Sequence, residues 1–371
     1  MSRATTVRLD PGALVHNLQR VKAAAPGQRV AAAVKANGYG HGLVRVARAL
    51  ADADAFGVAA IEEAQTLRRA GVRQRILLLE GVFAATELPH CARQGLNVAV
   101  HHLEQVRMLE TARLDRPLRV WLKIDTGMHR LGLEPDTVPA VFRRLAECPA
   151  VAPAIGLMSH LARADERDCD FTLQQLQLFE QATAGLPGAR SLANSAGVLG
   201  WPQTHFDWVR PGIMLYGASP FVDSLAADEN LQPVMTFQTR LMAIQRLRRG
   251  DPVGYGGTWV CPEDMDMGVA AVGYGDGYPR HAPAGTPVLI NGREAALIGR
   301  VSMDMITVDL RQHPEARIGD PVVLWGKDLP VERIAQAAGT ISYTLMCGIT
   351  ARVKVEIVEP AGEPPSSDLA P

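Results

Sequence analysis

Val34-Lys35-Ala36-Asn37-Gly38-Tyr39-Gly40-His41-Gly42 carries a single lysine out of an apolar run and into a glycine-rich turn. After Arg29 the chain up to Val34 holds only Val and Ala, which suits a short strand covered on both faces better than an amphipathic helix. Lys35 then falls near the C-terminal end of that strand. An amine held there, with apolar walls behind it and flexible backbone in front, is placed for carbonyl chemistry. Taken alone, the lysine reads more simply as an edge residue reaching for water, so its company decides.

Working outward, short apolar runs recur with helical segments between them: Arg29–Ala36, Ala55–Ala60, Arg75–Gly81, Asn97–Val100, Leu118–Thr126, Ala154–His160, Ser191–Ala196 and Trp208–Tyr216. The intervening segments Glu62–Ala70, His102–Arg113, Asp136–Cys148 and Asp170–Ala184 space apolar residues three and four apart among charges, as helices packed on a sheet do. This rhythm predicts a TIM-type (β/α)₈ barrel, whose reactive groups lie at the C-terminal ends of its strands. Lys35, Lys123 with Asp125, His160, Asn194-Ser195 and Arg210 all fall at or just past such ends. Ahead of the barrel, after a short extended start, Asp10-Pro11 predicts a capped helix ending near Pro26-Gly27.

Past Tyr216 the pattern changes. Val234–Leu247, Met267–Val272, Thr286–Ile290, Ala295–Val301, Met305–Asp309 and Pro321–Trp325 read as strands between Gly, Pro and Asp turns, followed by a helix over Val331–Ala338 and a strand over Val353–Val358. The expected division is residues 1–230 as the barrel and 231–371 as a mostly β domain, with a mobile tail from Pro360 to Pro371. Lys+Arg 38 against Asp+Glu 39 leaves a net charge of -1, with no basic stripe for nucleic acid or membrane. The five cysteines are scattered without metal or redox spacing, and no apolar run reaches membrane-spanning length, so a cytoplasmic chain without a metal is expected. Gly273, Gly275 and Gly277 imitate a nucleotide loop, but the strand-helix unit that loop needs is missing.

A strand-end lysine, a Gly-Tyr-Gly turn, Ser195 beside a later glycine and Arg210 before Pro-Gly-Ile together suit an aldehyde cofactor bearing a phosphate, with pyridoxal 5'-phosphate the obvious candidate. The ordered motifs over 33–42, 122–132, 158–162, 194–197, 209–217, 254–259, 273–280 and 299–305 resemble the bacterial alanine racemases, from about Val30 to about Arg352. That resemblance implies racemisation of L- and D-alanine by two bases on opposite faces of the substrate, Lys35 and Tyr255. An unperturbed tyrosine, with a pKa of about 10, is a weak base near neutrality. The resemblance answers with His160 beside Tyr255, and with Arg210 linking His160 to the pyridine nitrogen. Arg210 would keep that nitrogen unprotonated and so disfavour transamination.

The resemblance further implies that Tyr39, Asn194, Ser195, Gly212, Ile213 and Tyr343 bind the cofactor, chiefly at its phosphate. Arg130 and the backbone of Met303 would bind the substrate carboxylate, with Asp304 beside Met303. Lys123, carbamylated in many family members, would orient Arg130. Asp165, Tyr274, Arg280 and Arg300 match positions lining the family's access channel. Tyr255 would reach the barrel mouth from the partner subunit of a head-to-tail homodimer. The other readings open to the sequence are a barrel that carries pyridoxal phosphate without turnover and a decarboxylase of the same barrel class.

Overall fold

Asp10 stops the first strand and starts the first helix, Pro11–Ala24: its carboxylate accepts from Gly12 N at 2.8 Å and Ala13 N at 3.2 Å, and Pro11 occupies the first turn. The computed structural model describes residues 3–358, so the tail from Pro360 to Pro371 lies outside the described residues. Strand β1 (Thr6–Leu9) is followed by β2 (Arg29–Ala33), β3 (Ala55–Val58), β4 (Arg75–Leu78), β5 (Asn97–Val100), β6 (Arg119–Lys123), β7 (Gly156–Met158), β8 (Arg190–Ser191) and β9 (Trp208–Val209). Strands β2 to β9 form a closed barrel, parallel throughout, in which β9 returns to β2 through the Val30–Val209 register.

Inside the barrel, Ala31, Ala55 and Trp208 pack with Trp121, and above them Leu77, Ala99 and Met158 meet the same Trp121. Small and large residues alternate across facing strands, so the barrel is filled rather than open. Gly156 is part of this fit: a Cβ there would stand 2.4 Å from the Trp121 ring. The filled interior forms a floor, and the site residues stand on it at the C-terminal mouth.

The barrel strands are shorter than their apolar runs. After Val209 the chain passes through Pro211, which has no N–H for the ladder, and Gly212, then winds into a single turn over Ile213–Tyr216. After Ser191 the chain soon begins a helix, Ser195–Gly200, capped by the Asn194 side chain on Gly197 N. Most unusual is the exit from β2: Ala36, Asn37, Gly38, Tyr39 and Gly40 all have positive φ, making a left-handed turn in place of a continued strand. Each non-glycine residue there costs roughly 1–2 kcal/mol relative to a right-handed conformation. Offsetting bonds run from Gly38 N to Val34 O (2.8 Å), Gly42 N to Asn37 O (2.8 Å), Ala36 N to the Glu63 carboxylate (2.8 Å) and Leu43 N to Asn37 Oδ1 (2.9 Å).

The second sheet holds β10 (Met235–Leu247), β13 (Met265–Ala270), β14 (Pro287–Ile290), β15 (Arg293–Ile298), β16 (Ile306–Asp309), β17 (Pro321–Trp325) and β18 (Lys354–Ile357), while β11 (Pro252–Val253) and β12 (Trp259–Val260) make a separate hairpin. The order is β13-β16-β15-β14-β17-β10-β1-β18, and β10 is long enough to pair with β13 as well, past a register shift between Leu241 and Ala243. Strand β1 differs from expectation. Instead of only leading into the barrel, it lies between β10, antiparallel, and β18, parallel. Its buried Val7 and Leu9 announce a half-covered strand, but both partners lie more than 200 residues away and leave no local trace. Among the described residues, no helix is long and apolar enough to cross a membrane.

Candidate active site

Lys35 follows β2 by two residues, Lys123 ends β6, His160 stands two residues past β7, Asn194 three past β8, and Arg210 directly follows β9. Their convergence is a cavity of about 620 Å³ at the barrel mouth, lined by Lys35, Tyr39, Lys123, Arg130, His160, Asn194, Ser195, Arg210, Gly212 and Tyr343. Ile213 is wholly buried behind Gly212 and does not line it. Glu80, at the end of the third apolar run, and Cys347 also line the cavity. Sequence reasoning passed over Glu80, although it sits at a strand end by the same rule as the others.

Arg210 organises one wall. Its guanidinium, 7% exposed, donates to Ser191 Oγ at 2.5 Å, Ser159 O at 2.5 Å and Leu192 O at 3.3 Å, and faces His160 Nδ1 at 3.4 Å. Burial lowers its pKa to about 10, which still leaves a cation at neutral pH. Burial, followed by the charges of Arg210, Lys123, Arg130 and Lys35, holds the His160 pKa well below its ordinary value. A neutral imidazole that accepts from Arg210 at Nδ1 must carry its proton on Nε2. Lys123 is lowered to about 8, first by burial and then by Arg210, Arg130 and Lys35, with Glu80 opposing.

A second group of lining residues suits an anion. The Tyr39 ring stacks on Tyr216 with centroids 4.5 Å apart, and Tyr216 Oη donates to Ala33 O at 2.9 Å, tying this wall to the end of β2. Gly212 is required here, since a Cβ would meet Tyr39 Oη at 2.5 Å. Ser195 Oγ accepts from Gly212 N at 2.8 Å and Met214 N at 3.4 Å. Burial raises the pKa values of both Tyr39 and Tyr343, so their hydroxyls remain donors. These phenols, Ser195 and the Gly212 backbone form a cradle suited to a phosphate, with Lys35 on the same cavity for an aldehyde.

The other expected residues lie elsewhere. Tyr255 is 67% exposed on the turn after β11, and Met303 is 53% exposed after β15; neither lines the cavity. Arg280 and Arg300 are exposed, Tyr274 is partly so, and Asp304 and Asp165 are half-buried. Asp165 is close enough to Tyr343 to raise its pKa further. The Tyr255 turn packs on Arg300, whose guanidinium would be 3.1 Å from a Cβ at Gly256, and Tyr274 N donates to Ser302 O at 3.1 Å beside Met303. The expected residues therefore form a walled cavity at the barrel mouth, to which the β domain adds Tyr343 with Asp165 nearby, and a mostly exposed set on the β domain. Among the described residues, no group of three or more His, Cys, Asp or Glu side chains could hold a metal ion.

The alanine racemase N-terminal domain model matches residues 9–220, and the alanine racemase C-terminal domain model matches 234–357. The chain belongs to the alanine racemase family. It is therefore an amino-acid racemase, an enzyme of the isomerase class. The alanine racemase of Nitrosococcus oceani is 57% identical over 346 residues, 93% of this chain and 97% of that protein. The biosynthetic alanine racemase of Escherichia coli K12 is 52% identical over 358 residues, 96% and 100% of the two chains. Among solved structures, the biosynthetic alanine racemase of Pseudomonas aeruginosa superposes with a TM-score of 0.94 at 47% identity, covering 96% of this chain and 100% of that one. The alanine racemase of Acinetobacter baumannii gives 0.91 at 39%, with the same coverage.

Proposed function

We propose that the chain interconverts L- and D-alanine using pyridoxal 5'-phosphate held at the barrel mouth, with Lys35 and Tyr255 as the two bases. The observation that carries this reading is the single cavity in which Lys35, Arg210 and the Tyr39–Ser195–Gly212–Tyr343 cradle meet. When bound, the cofactor supplies an electron-withdrawing ring that stabilises negative charge at the substrate α-carbon. Residues 1–230, with Tyr343 from the β domain, would hold it: Lys35 the aldehyde and the cradle the phosphate, while Asn194 fixes the turn bearing Ser195 and Ile213 backs the Gly212 turn. Arg210, a buried guanidinium that cannot readily give up a proton, would donate to the ring nitrogen and keep it unprotonated.

Lys35 moves the α-proton at one face of the substrate and the Tyr255 phenol at the other, so reprotonation on either side gives either enantiomer. Arg130 and the Met303 backbone hold the substrate carboxylate, with Asp304 supporting that loop. Because Lys123 is lowered to about 8, its neutral amine is accessible enough to add carbon dioxide and release a proton. The resulting carbamate would hold Arg130 by opposite charge.

Residues 231–371 supply Tyr255 to a second copy of the chain, since Tyr255 is exposed and outside its own cavity. Asp165, Tyr274, Arg280 and Arg300 then flank the approach to a composite site in a head-to-tail homodimer. The word biosynthetic in the names of the E. coli and P. aeruginosa relatives supports a supply of D-alanine for cell-wall synthesis, in the cytoplasm, over its breakdown.

Mixing two inactive variants tests this reading. Lys35→Ala and Tyr255→Phe, unfolded and refolded together, form heterodimers in which one of two sites has both bases. Half the dimers are then half-active, and about one quarter of parental racemisation should return, measured by the loss of optical rotation from L-alanine. A mixture as inactive as its components would sink the composite site.

A further inference from the structure

The side chain of Asp276 is fully buried, at the end of the turn Tyr274–Asp276 that follows β13. A buried carboxylate is costly unless its oxygens are filled, and here they are. Asp276 Oδ1 accepts from Arg3 Nε at 3.1 Å and pairs with Arg352 Nε at 2.8 Å; Oδ2 accepts from Arg3 Nη2 at 2.6 Å and Gly273 N at 2.9 Å. Both arginines continue to one further segment. Arg3 Nη2 donates to Asp304 O at 2.8 Å, while Arg352 Nη2 pairs with Asp304 Oδ1 at 2.8 Å and donates to Met303 O at 3.3 Å.

Backbone bonds reinforce the same junction. Gly275 N donates to Met303 O at 2.9 Å, Thr350 Oγ1 to Gly275 O at 2.9 Å, and Thr350 N to Asp276 O at 3.2 Å. Thr350 and Arg352 come shortly after the helix Ser342–Cys347, which puts Tyr343 and Cys347 into the barrel cavity. That helix in turn lies on the lysine turn so closely that a Cβ at Gly40 would fall 2.2 Å from Met346 O. A short route of packed backbone and charged bonds thus runs from the turn after Lys35, through the Tyr343 helix, to Asp276 and on to Met303.

We propose that Asp276 is a positioning residue that holds, through Arg3 and Arg352, the Tyr343 wall of one subunit's cavity in fixed relation to the Met303–Tyr274 face. This rests on the reading that the Met303 face completes a second copy's site. Its consequence is that one buried carboxylate serves two sites at once: Tyr343 in its own subunit, and Met303 and Tyr274 for its neighbour. Arginine is needed at 352 because only a planar fork reaches Asp276 and Asp304 together.

The test compares Asp276→Asn, Arg352→Ala and Arg352→Lys with the parent as purified holoenzyme and after cofactor removal. Cofactor affinity comes from absorbance titration with pyridoxal 5'-phosphate, alanine KM and kcat from initial rates, and subunit state from sedimentation. Asp276→Asn and Arg352→Ala should stay dimeric, lose about tenfold in cofactor affinity, raise alanine KM about tenfold, and change kcat by less than about threefold. Arg352→Lys should recover part of each loss. A purely structural role would lower the melting temperature and leave both constants alone. The proposal is overturned if Asp276→Asn, or Arg352→Ala should Asp276→Asn not fold, keeps both constants within about twofold of the parent. An inactive mixture in the subunit-mixing experiment would remove the composite site, whereas cofactor affinity and alanine KM both unchanged here remove the Asp276 tie, so the two fail separately.

Discussion

Replacing Lys123 by methionine should make the cofactor-free chain more stable while making the enzyme worse. Lys123 is 7% exposed and stands among Arg210, Arg130 and Lys35, and burial together with those charges lowers its pKa from 10.5 to about 8. Between pH 8 and 10.5 the unfolded chain holds a proton that the folded chain has released, so stability climbs with pH through that window. Below about pH 8 the whole penalty is present, roughly 3 kcal/mol at 1.36 kcal/mol per pKa unit. Methionine keeps the length and removes the charge. In urea at pH 7, in buffer freed of carbon dioxide, the Lys123→Met midpoint should rise by about 1 M, taking an m-value of about 3 kcal/mol/M. At pH 10 the two curves should nearly coincide. Bicarbonate should narrow the difference at neutral pH by converting the parent's cation into a carbamate that the neighbouring arginines favour. Meanwhile kcat/KM should fall about tenfold as Arg130 loses its support. An unchanged midpoint at pH 7, with a flat parental profile from pH 8 to 10, would show that the surrounding cations do not burden Lys123 and would refute the reasoning.

Gly212→Ala would place a Cβ 2.5 Å from the Tyr39 hydroxyl and displace it. Cofactor affinity by absorbance titration should fall about tenfold with little change in melting temperature, and an unaltered affinity would take Tyr39 out of the cradle. Arg210→Glu replaces the donor proposed for the ring nitrogen with a carboxylate, so the ratio of pyruvate formed to alanine racemised should rise at least about tenfold. Product analysis showing the parental ratio would count against the role given to Arg210.

The barrel was legible because each strand advertised itself locally, as a run of Val, Ala, Leu and Ile closing on a polar residue. Lys35, Lys123, His160 and Arg210 could be placed at one mouth for that reason alone. Tyr255 and Met303 could be attached to the site only by resemblance, since nothing local says that an exposed turn belongs to another chain's cavity. The short ends of β8 and β9 were not legible, because Pro211 and the Asn194 cap interrupt runs whose side chains remain apolar. The helix carrying Tyr343 was missed where Ile341 to Cys347 offers little amphipathic contrast. The Asp276 junction joins residues 3, 276, 304 and 352, and no spacing rule links charges so far apart in sequence.

The left-handed turn from Ala36 to Gly40 also bears on the chirality of the chain itself. An L-residue resists positive φ because of where its Cβ stands, whereas a D-residue prefers the mirror region. Ala36, at φ 53 and ψ 51, is thus a place in this protein where the opposite enantiomer of alanine fits the backbone better than the one the ribosome inserts. A chain made by chemical ligation with D-alanine at position 36 should hold the turn with less strain, provided that its relocated methyl group finds room. The anchor of an enzyme proposed to make D-alanine is followed at once by a residue built against its own handedness.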